Sequence, residues 1–494
     1  MPKQYIRFYI DRARNNALFL LEYKSSKVTW AKEKMSRVTP SKNDPKIIFS
    51  WCMYDWAGAA YITTVAVGLL PAYFASIVVG SGGITIRGTT YSATSLWGFA
   101  VGGAALIIFI LAPVLGAIAD FTGAKKRFLL LFAYAGSFFT ILLYFSKSED
   151  VWRTLILFFI AQLCFIGANV FYDAFLPQIA TADKMDTVSG KGFSYGYLGG
   201  GLNFAITLGL VAGHSKIGIS QIQAVRIGIL GAGLWWAGFT LFAAKNLFET
   251  PSANTLPERY KNWRFLPAAY AALGVSQLIR TAKRVRRFRY LVLFLVAYTL
   301  YNDGIQTVIN MATIYGKEEL KLSTTALLLT LLTIQAVASV GAIMFGRLAN
   351  LVGTKRAVMI ALVPWCLVVL YAYFINTAVQ FFAAGIMVGI VLGGSQALSR
   401  SFYGSMIPEE ASAEFYGFYT VFSKFSAICG PFVFAIVRQT TGSARNSILS
   451  VIVFFILGLV LLYFVDENRA RDAKLSGAFY IEGGDRRIPY TENP

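Results

Sequence analysis

The segment Gly116-Ala117-Ile118-Ala119-Asp120-Phe121-Thr122-Gly123-Ala124-Lys125 returns 230 positions later as Gly346-Arg347-Leu348-Ala349-Asn350-Leu351-Val352-Gly353-Thr354-Lys355. Glycine, then aspartate or asparagine, then glycine and lysine recur at one spacing. Two further pairs keep the same order along the chain. Phe171-Tyr172-Asp173-Ala174-Phe175-Leu176-Pro177 returns as Phe402-Tyr403-Gly404-Ser405-Met406-Ile407-Pro408 at an offset of 231, and Tyr195-Gly196-Tyr197 as Tyr416-Gly417-Phe418 at 221. Ordered recurrence in a hydrophobic chain points to a duplicated half, a construction common among membrane transporters.

Composition places both copies in a bilayer. Only 14% of the 494 residues are charged and the mean hydropathy is +0.57, whereas a soluble domain carries about 25% charge. Twelve apolar spans are predicted at 47–79, 95–118, 127–146, 152–179, 192–214, 224–245, 290–315, 322–349, 356–375, 378–404, 413–438 and 446–466. Each is long enough for a hydrocarbon core of about 30 Å. The predicted fold is an all-α membrane protein of two six-helix bundles, 47–246 and 290–466. A basic extension at 1–46, a linker at 247–289 and a tail at 467–494 complete it.

The net charge is +20, from 45 Lys and Arg against 25 acids. Residues 1–46 hold 11 basic residues against 4 acidic, and residues 245–289 hold 10 against 2. Both stretches flank apolar spans, so the charge is read as topology and contact with anionic headgroups, not as a nucleic-acid interface. With both ends inside, 34 basic residues fall in inner segments, 9 in outer ones and 2 within spans, which predicts cytoplasmic termini. Ala268–Ile279, followed by Arg280, Lys283, Arg284, Arg286 and Arg287, predicts an amphipathic helix on the inner surface. Ala17–Leu21 is too short an apolar run for a signal peptide. Cys52, Cys164, Cys366 and Cys429 lie in spans as packing residues, and His214 is the only histidine, so no metal site is expected. No phosphate-cradling Gly-x-x-x-x-Gly-Lys-Ser/Thr and no nucleophile–base set is present, so no cofactor, no direct ATP drive and no enzyme activity is expected. The chain is expected to act as a monomer.

A charge at the bilayer centre costs about 2.5–3.5 kcal/mol and therefore usually serves a cavity. Asp303 lies 12 residues beyond Leu291, about 18 Å along a helix. It shares a helix face with Gln306, Thr307 and Asn310, which makes it the first candidate for substrate or proton binding. The alternative is a structural aspartate that caps a helix broken at Gly304. Lys424, in span 11, is a candidate partner of Asp303 or of a substrate carboxylate. Its repeat partner at the 221 offset is Asn203, beside Gly196, Gly199 and Gly200, where small residues serve either close packing or ligand room. Asp55 in span 1 is a second candidate proton carrier, or a partner for Arg400 or for a cation. Gln162, Asn169 and Asp173 form one stripe, and Gln396, Ser399, Arg400 and Tyr403 another. Asp173 and Arg400 are a candidate gate pair between the halves, with interfacial anchoring as the rival reading. Pro71, Pro113, Pro364 and Pro431 predict kinks.

The paired Gly-x-x-x-Asp/Asn-x-x-Gly-x-Lys segments, after spans 2 and 8, resemble the signature loop of the major facilitator superfamily. That resemblance implies gating by Gly116, Asp120, Gly123 and Lys125, and by Asn350 and Gly353 in the second copy. It also implies two halves that rock about a central path. Trp51-Cys52-Met53-Tyr54-Asp55-Trp56-Ala57, Ser189-Gly190-Lys191-Gly192 with Gly196-Tyr197-Leu198-Gly199-Gly200-Gly201, and Leu300-Tyr301-Asn302-Asp303-Gly304-Ile305-Gln306-Thr307-Val308 are similar to the autophagy-related vacuolar amino-acid effluxer family. This narrower resemblance runs from about 47 to 467. Where the family pattern continues with Asn-Ser, this chain has Gly58 and Ala59. It implies a secondary transporter of small polar organic solutes, amino acids first, working by efflux and alternating access in a bacterial inner membrane or a vacuolar membrane. Two other readings stay open. One is an efflux pump for amphipathic compounds, given 40 Phe and 26 Tyr. The other is a non-transporting sensor or scaffold built on residues 1–46.

Overall fold

Glycines and hydroxyl caps set where the apolar runs begin and end. A computed structural model describes residues 41–80, 82–249, 266–284 and 288–475. Most of the basic extension and part of the tail lie outside the described residues. Among the described residues, eleven helices are long and apolar enough to cross a membrane: spans 1 to 4 at Pro45–Val79, Ala93–Thr122, Lys125–Phe145 and Val151–Ile179, span 6 at Gln221–Asn246, and spans 7 to 12 at Arg289–Lys317, Thr324–Val352, Thr354–Phe374, Ala378–Met406, Ser412–Thr441 and Ala444–Tyr463. The fifth span is the helix Met185–Ala212, whose 28 residues also suffice in length. Its glycines, serines and Asn203 dilute its apolar character. Ser92, Ser220, Ser323 and Thr377 cap helix starts through their side chains, Ser220 and Thr377 as full capping boxes with Gln223 and Gln380. Gly123 and Gly353 turn the chain at φ 65° and 87°, a region that favours glycine.

Spans 1, 11 and 12 are interrupted along their length. Span 1 passes through π turns at Tyr61–Leu69 and Phe74–Val79 on either side of Pro71, which has no N–H to continue the ladder. Span 11 breaks between Phe425 and Cys429, just before Pro431. Span 12 divides at Val451. Pro113 and Pro364 instead sit inside single helices. A two-stranded hairpin, β1 Ile84–Ile86 and β2 Thr89–Tyr91, lies between spans 1 and 2.

The halves meet where span 2 packs along span 11 and span 5 along span 8. Glycine makes both crossings close. A Cβ on Gly190 would lie 2.6 Å from the Ala342 carbonyl oxygen, and one on Gly417 would lie 2.8 Å from that of Ala112. Ala112 and Ala342 are 230 residues apart, so Gly190 and Gly417 are equivalent, at an offset of 417 less 190, or 227. Asp186 and Ala413, which face Gly346 and Gly116, differ by the same 227. This corrects the 221 offset read from Tyr195-Gly196-Tyr197, which is six positions out of register. Lys424 corresponds to Tyr197, and Asn203 corresponds to Gly430.

The linker contains the helix Leu266–Arg284. It lies on span 2, with Ala269 and Leu273 packed on Phe121 and Gly274 close to the Val114 carbonyl. Val275 and Ile279 are exposed, as an interfacial helix requires.

Candidate functional site

The Gly-x-x-x-Asp segment ties the two halves together at one face of the bundle, taken here as the inner face in line with the charge bias of the sequence. Gly116 lets span 2 touch the start of span 11, since a Cβ there would sit 2.2 Å from the Ala413 carbonyl oxygen. One turn on, the Asp120 carboxylate accepts the backbone N–H groups of Ala413 at 3.2 Å and Glu414 at 2.8 Å, so it caps a helix of the opposite half. Lys125 pairs with Asp120 at 2.8 Å and donates to Ser412 Oγ at 2.8 Å. The second copy does related work with different atoms. Asn350 donates to Thr187 Oγ1 at 2.9 Å, and Thr354 donates to Asp186 at 2.7 Å. Asn350 has no charge to hold Lys355, which donates instead to the Tyr463 and Val465 carbonyls, each at 2.7 Å, at the end of span 12. Lys42 pairs with Glu409 and so adds a further tie between the halves. Nearby, burial lowers the Lys474 ammonium from the usual lysine range, against the pull of Glu409 and Glu410.

Above this layer, Arg400 of span 10 enters a socket made wholly by the first half. It pairs with Asp173 at 3.0 Å and donates to the Ser189 hydroxyl at 3.0 Å and the Ser189 carbonyl at 2.9 Å. Its guanidinium lies 4.1 Å from the Phe193 ring centroid and 4.8 Å from that of Trp51. Trp51 stacks on Tyr172 at 4.5 Å and donates to the Tyr172 carbonyl at 2.9 Å. Gly192 completes the socket, because a Cβ there would lie 2.9 Å from Arg400 Nη2 and 2.6 Å from Trp51. Ser189 returns a bond to the other half, donating to the Ala397 carbonyl at 2.7 Å.

On the outer side of Arg400 a central cavity of about 650 Å³ opens between the halves. Its floor carries Asp55, Asn169, Phe193, Tyr197 and Gln396, and Lys317 and Thr324 stand at the outer mouth. Tyr197 donates to Gln396 at 2.6 Å, and Gln335 of span 8 donates to Thr63 of span 1 at 2.7 Å. Both bonds cross between the halves. The rest of the wall is mostly aliphatic, with Ile62, Val67, Leu331, Ile334, Val388 and Leu392. Ala59 also lines it, so the wall has a methyl group where the family pattern places a serine hydroxyl. Bonds between the halves thus close the molecule on the Gly-x-x-x-Asp side of the cavity, and the opposite side is open.

Residues 43–475 match the family described as "Vacuole effluxer Atg22 like". The chain belongs to this family. It is 35% identical over 441 residues to a Bacillus subtilis (strain 168) protein described as an uncharacterized MFS-type transporter, YxiO, covering 89% of this chain and 97% of that one. It is 26% identical to autophagy-related protein 22-2 of Aspergillus niger, where the match covers 63% of this chain and 55% of the fungal protein. Among solved structures, the fold resembles the human organic anion transporter MFSD10 at a TM-score of 0.63 and 15% identity, covering 85% of this chain and all of that one. It also resembles the proton:xylose symporter XylE at 0.62 and 12%, covering 85% of this chain and 95% of that one. The chain is thus a multi-pass membrane transporter of the major facilitator type, in the Atg22-like branch.

Five residues of the sequence reading, Asp303, Gln306, Asn310, Asn203 and Lys424, do not line the cavity. Asp303 faces span 11 and accepts the Gly430 N–H at 2.9 Å, which caps the second half of the broken helix. Its neighbour Asn302 bonds to Ser426 on the other side of the break. The Tyr-Asn-Asp-Gly motif thus anchors the break in span 11. Gln306 is half-buried and Asn310 exposed, and neither lines the cavity. Asn203 accepts the Thr64 hydroxyl at 2.8 Å, which locks spans 1 and 5. The Lys424 side chain is half-buried, makes no hydrogen bond or ion pair among the described residues, and does not line the cavity. Asp303→Ala is expected to lower stability by about 1–2 kcal/mol, as for a lost helix cap. Asp303→Asn, which keeps an acceptor oxygen, is expected to behave like the parent. Thermal unfolding in detergent beside a substrate-binding assay checks both, and loss of binding at unchanged stability would contradict the capping role.

Sequence reasoning passed over Thr63, Gln335, Ser189, Gly192 and Trp51. Gln335, a lone amide in an apolar run, was a readable signal. Ser189, Gly192 and Trp51 lay inside the family motifs but gave no hint that all three serve Arg400.

Proposed function

We propose that the chain is a secondary transporter that moves small amino-acid-like solutes by rocking its two halves about the central cavity. The observation that carries this reading is the cavity itself, which lies between the halves, opens outward and ends at the Arg400 socket. A path that is open on one side and sealed by inter-half bonds on the other is one of the two states that alternating access requires. The aliphatic wall with a polar floor suits a small molecule that has a charged end and an apolar body. Lys424, uncompensated at the position equivalent to cavity-lining Tyr197, is the proposed anchor for a substrate carboxylate. Asp120, Lys125 and their second-copy counterparts Asn350 and Gly353 are the proposed latch, and Arg400 with Asp173 the proposed gate. With the inner face cytoplasmic, efflux from a vacuole and uptake across a bacterial inner membrane run the same way, toward the cytoplasm.

Counterflow in proteoliposomes tests this. Protein loaded with unlabelled amino acid is expected to accumulate the labelled form transiently, with no ion gradient, and Lys424→Ala is expected to lose most of that exchange. Folded parent protein that exchanges no amino acid, yet is stabilised by an amphipathic amine or dye, would turn the reading to a pump for amphipathic compounds.

A further inference from the structure

The cavity floor holds two carboxyl groups and one guanidinium. Asp55, Asp173 and Arg400 act on one another there. Arg400 already pairs with Asp173, and its other bonds go to Ser189. Asp55 is left over. It lines the cavity, yet its Oδ2 is buried with no hydrogen-bond partner. Tyr172 approaches the carboxylate, but no well-aligned bond forms, and its hydroxyl is also buried and unpartnered. The Tyr54 hydroxyl is in the same condition. Gly196 brings span 5 onto the carboxylate, since a Cβ there would lie 2.9 Å from Asp55 Cγ. Packing, not a donor, thus fixes the group. A buried carboxyl oxygen without a donor is unfavourable until a hydrogen-bond donor reaches it. Among the described residues that line the cavity, Lys317, at the far end of span 7, is the only lysine or arginine, and it is not bonded to Asp55.

We propose that Asp55 is the ammonium subsite of the transport path, which selects solutes that carry a primary amine. The ammonium group would supply the hydrogen bonds that the carboxylate lacks, and the aliphatic wall would take the apolar body. This rests on the transport reading above and adds a chemical requirement to it.

Three probes test the requirement by counterflow. Leucine has both charged groups, N-acetylleucine lacks the ammonium, and isopentylamine lacks the carboxylate. The parent protein is expected to exchange leucine best, to exchange isopentylamine less well because it lacks the carboxylate assigned to Lys424, and to exchange N-acetylleucine about tenfold or more worse than leucine, the weight of one charge-assisted hydrogen-bond set. Asp55→Asn is expected to lower leucine exchange by a similar factor, and Asp55→Glu to keep part of it. N-acetylleucine exchange equal to that of leucine overturns the inference while transport stands. So does Asp55→Asn that exchanges leucine normally but loses accumulation driven by a pH gradient, because Asp55 would then carry the proton. A parent that exchanges none of the three overturns the amino-acid reading, and this inference with it. The probe comparison is made on the parent protein and so does not depend on how a variant folds.

Discussion

Arg400→Gln is expected to shift the protein toward its inward-open state by about a hundredfold or more. Removing one partner of a buried ion pair costs about 3–5 kcal/mol, because the other charge is stranded, and each 1.4 kcal/mol is a factor of ten. Here the stranded group is Asp173, which lies on the opposite half. The cost therefore falls on the state in which the halves touch. Once they part, Asp173 reaches water and the penalty fades. Glutamine also gives up the stacking on Phe193 and Trp51. A cysteine at Ala397, fully buried beside Ser189, reports the change in a background with the native cysteines replaced. A soluble maleimide applied to the inner face should label it much faster in Arg400→Gln. Adding Asp173→Asn removes the stranded charge and should recover part of the closed state, a coupling that simple misfolding would not show. Unchanged labelling in Arg400→Gln would mean that the socket is not the gate.

Gly116→Ala is expected to cut net transport about tenfold or more. The new methyl would meet only backbone, the Ala413 carbonyl at 2.2 Å and the Glu414 nitrogen at 2.7 Å. Backbone in a packed helix crossing cannot give way as a flexible side chain can. Span 11 must move off span 2, and Asp120 then loses two hydrogen bonds to N–H groups, each worth about 1.5–3 kcal/mol when one partner is charged. Two comparisons isolate the cause. Gly98, in the same helix, has nothing within 4 Å of its would-be Cβ. Gly98→Ala should be neutral or stabilising by up to about 1 kcal/mol from helix propensity. Gly346, the equivalent of Gly116, has its nearest backbone atom at 3.0 Å, the Asp186 carbonyl oxygen, so Gly346→Ala should be the milder lesion. Equal loss in Gly98→Ala and Gly116→Ala would remove the crossing as the explanation.

The resemblance between the two Gly-x-x-x-Asp/Asn segments hides a division of labour that only contacts reveal. Asp120 holds Lys125 and caps span 11, whereas Asn350 can do neither by charge, and Lys355 turns to the end of span 12. The fold itself was open to reading from the chain. Spans of about 20 apolar residues, the long break at 247–289 and the ordered repeats suffice for two six-helix halves, because a bilayer leaves a hydrophobic segment few alternatives to a helix. The family followed from motifs whose glycines and aspartates have fixed spacing.

Sequence by itself therefore determined the helices, their number, their pairing into halves and the faces on which polar residues gather. It could not determine what each face meets. Asp303, Gln306, Thr307 and Asn310 do share a side of span 7, but Asp303 and Thr307 look at the break in span 11, Asn310 is exposed, and none of the four lines the cavity. The three-residue match at 221 paired Lys424 with Asn203, and helix contacts shifted that register by six. Asp173 and Arg400 stood on separate stripes 227 residues apart until packing brought them to 3.0 Å. Helical periodicity is a property of one segment and can be read locally. The partner of a face depends on the rotation, tilt and crossing of two helices, which small residues such as Gly116, Gly190 and Gly192 set through contacts distant in the chain.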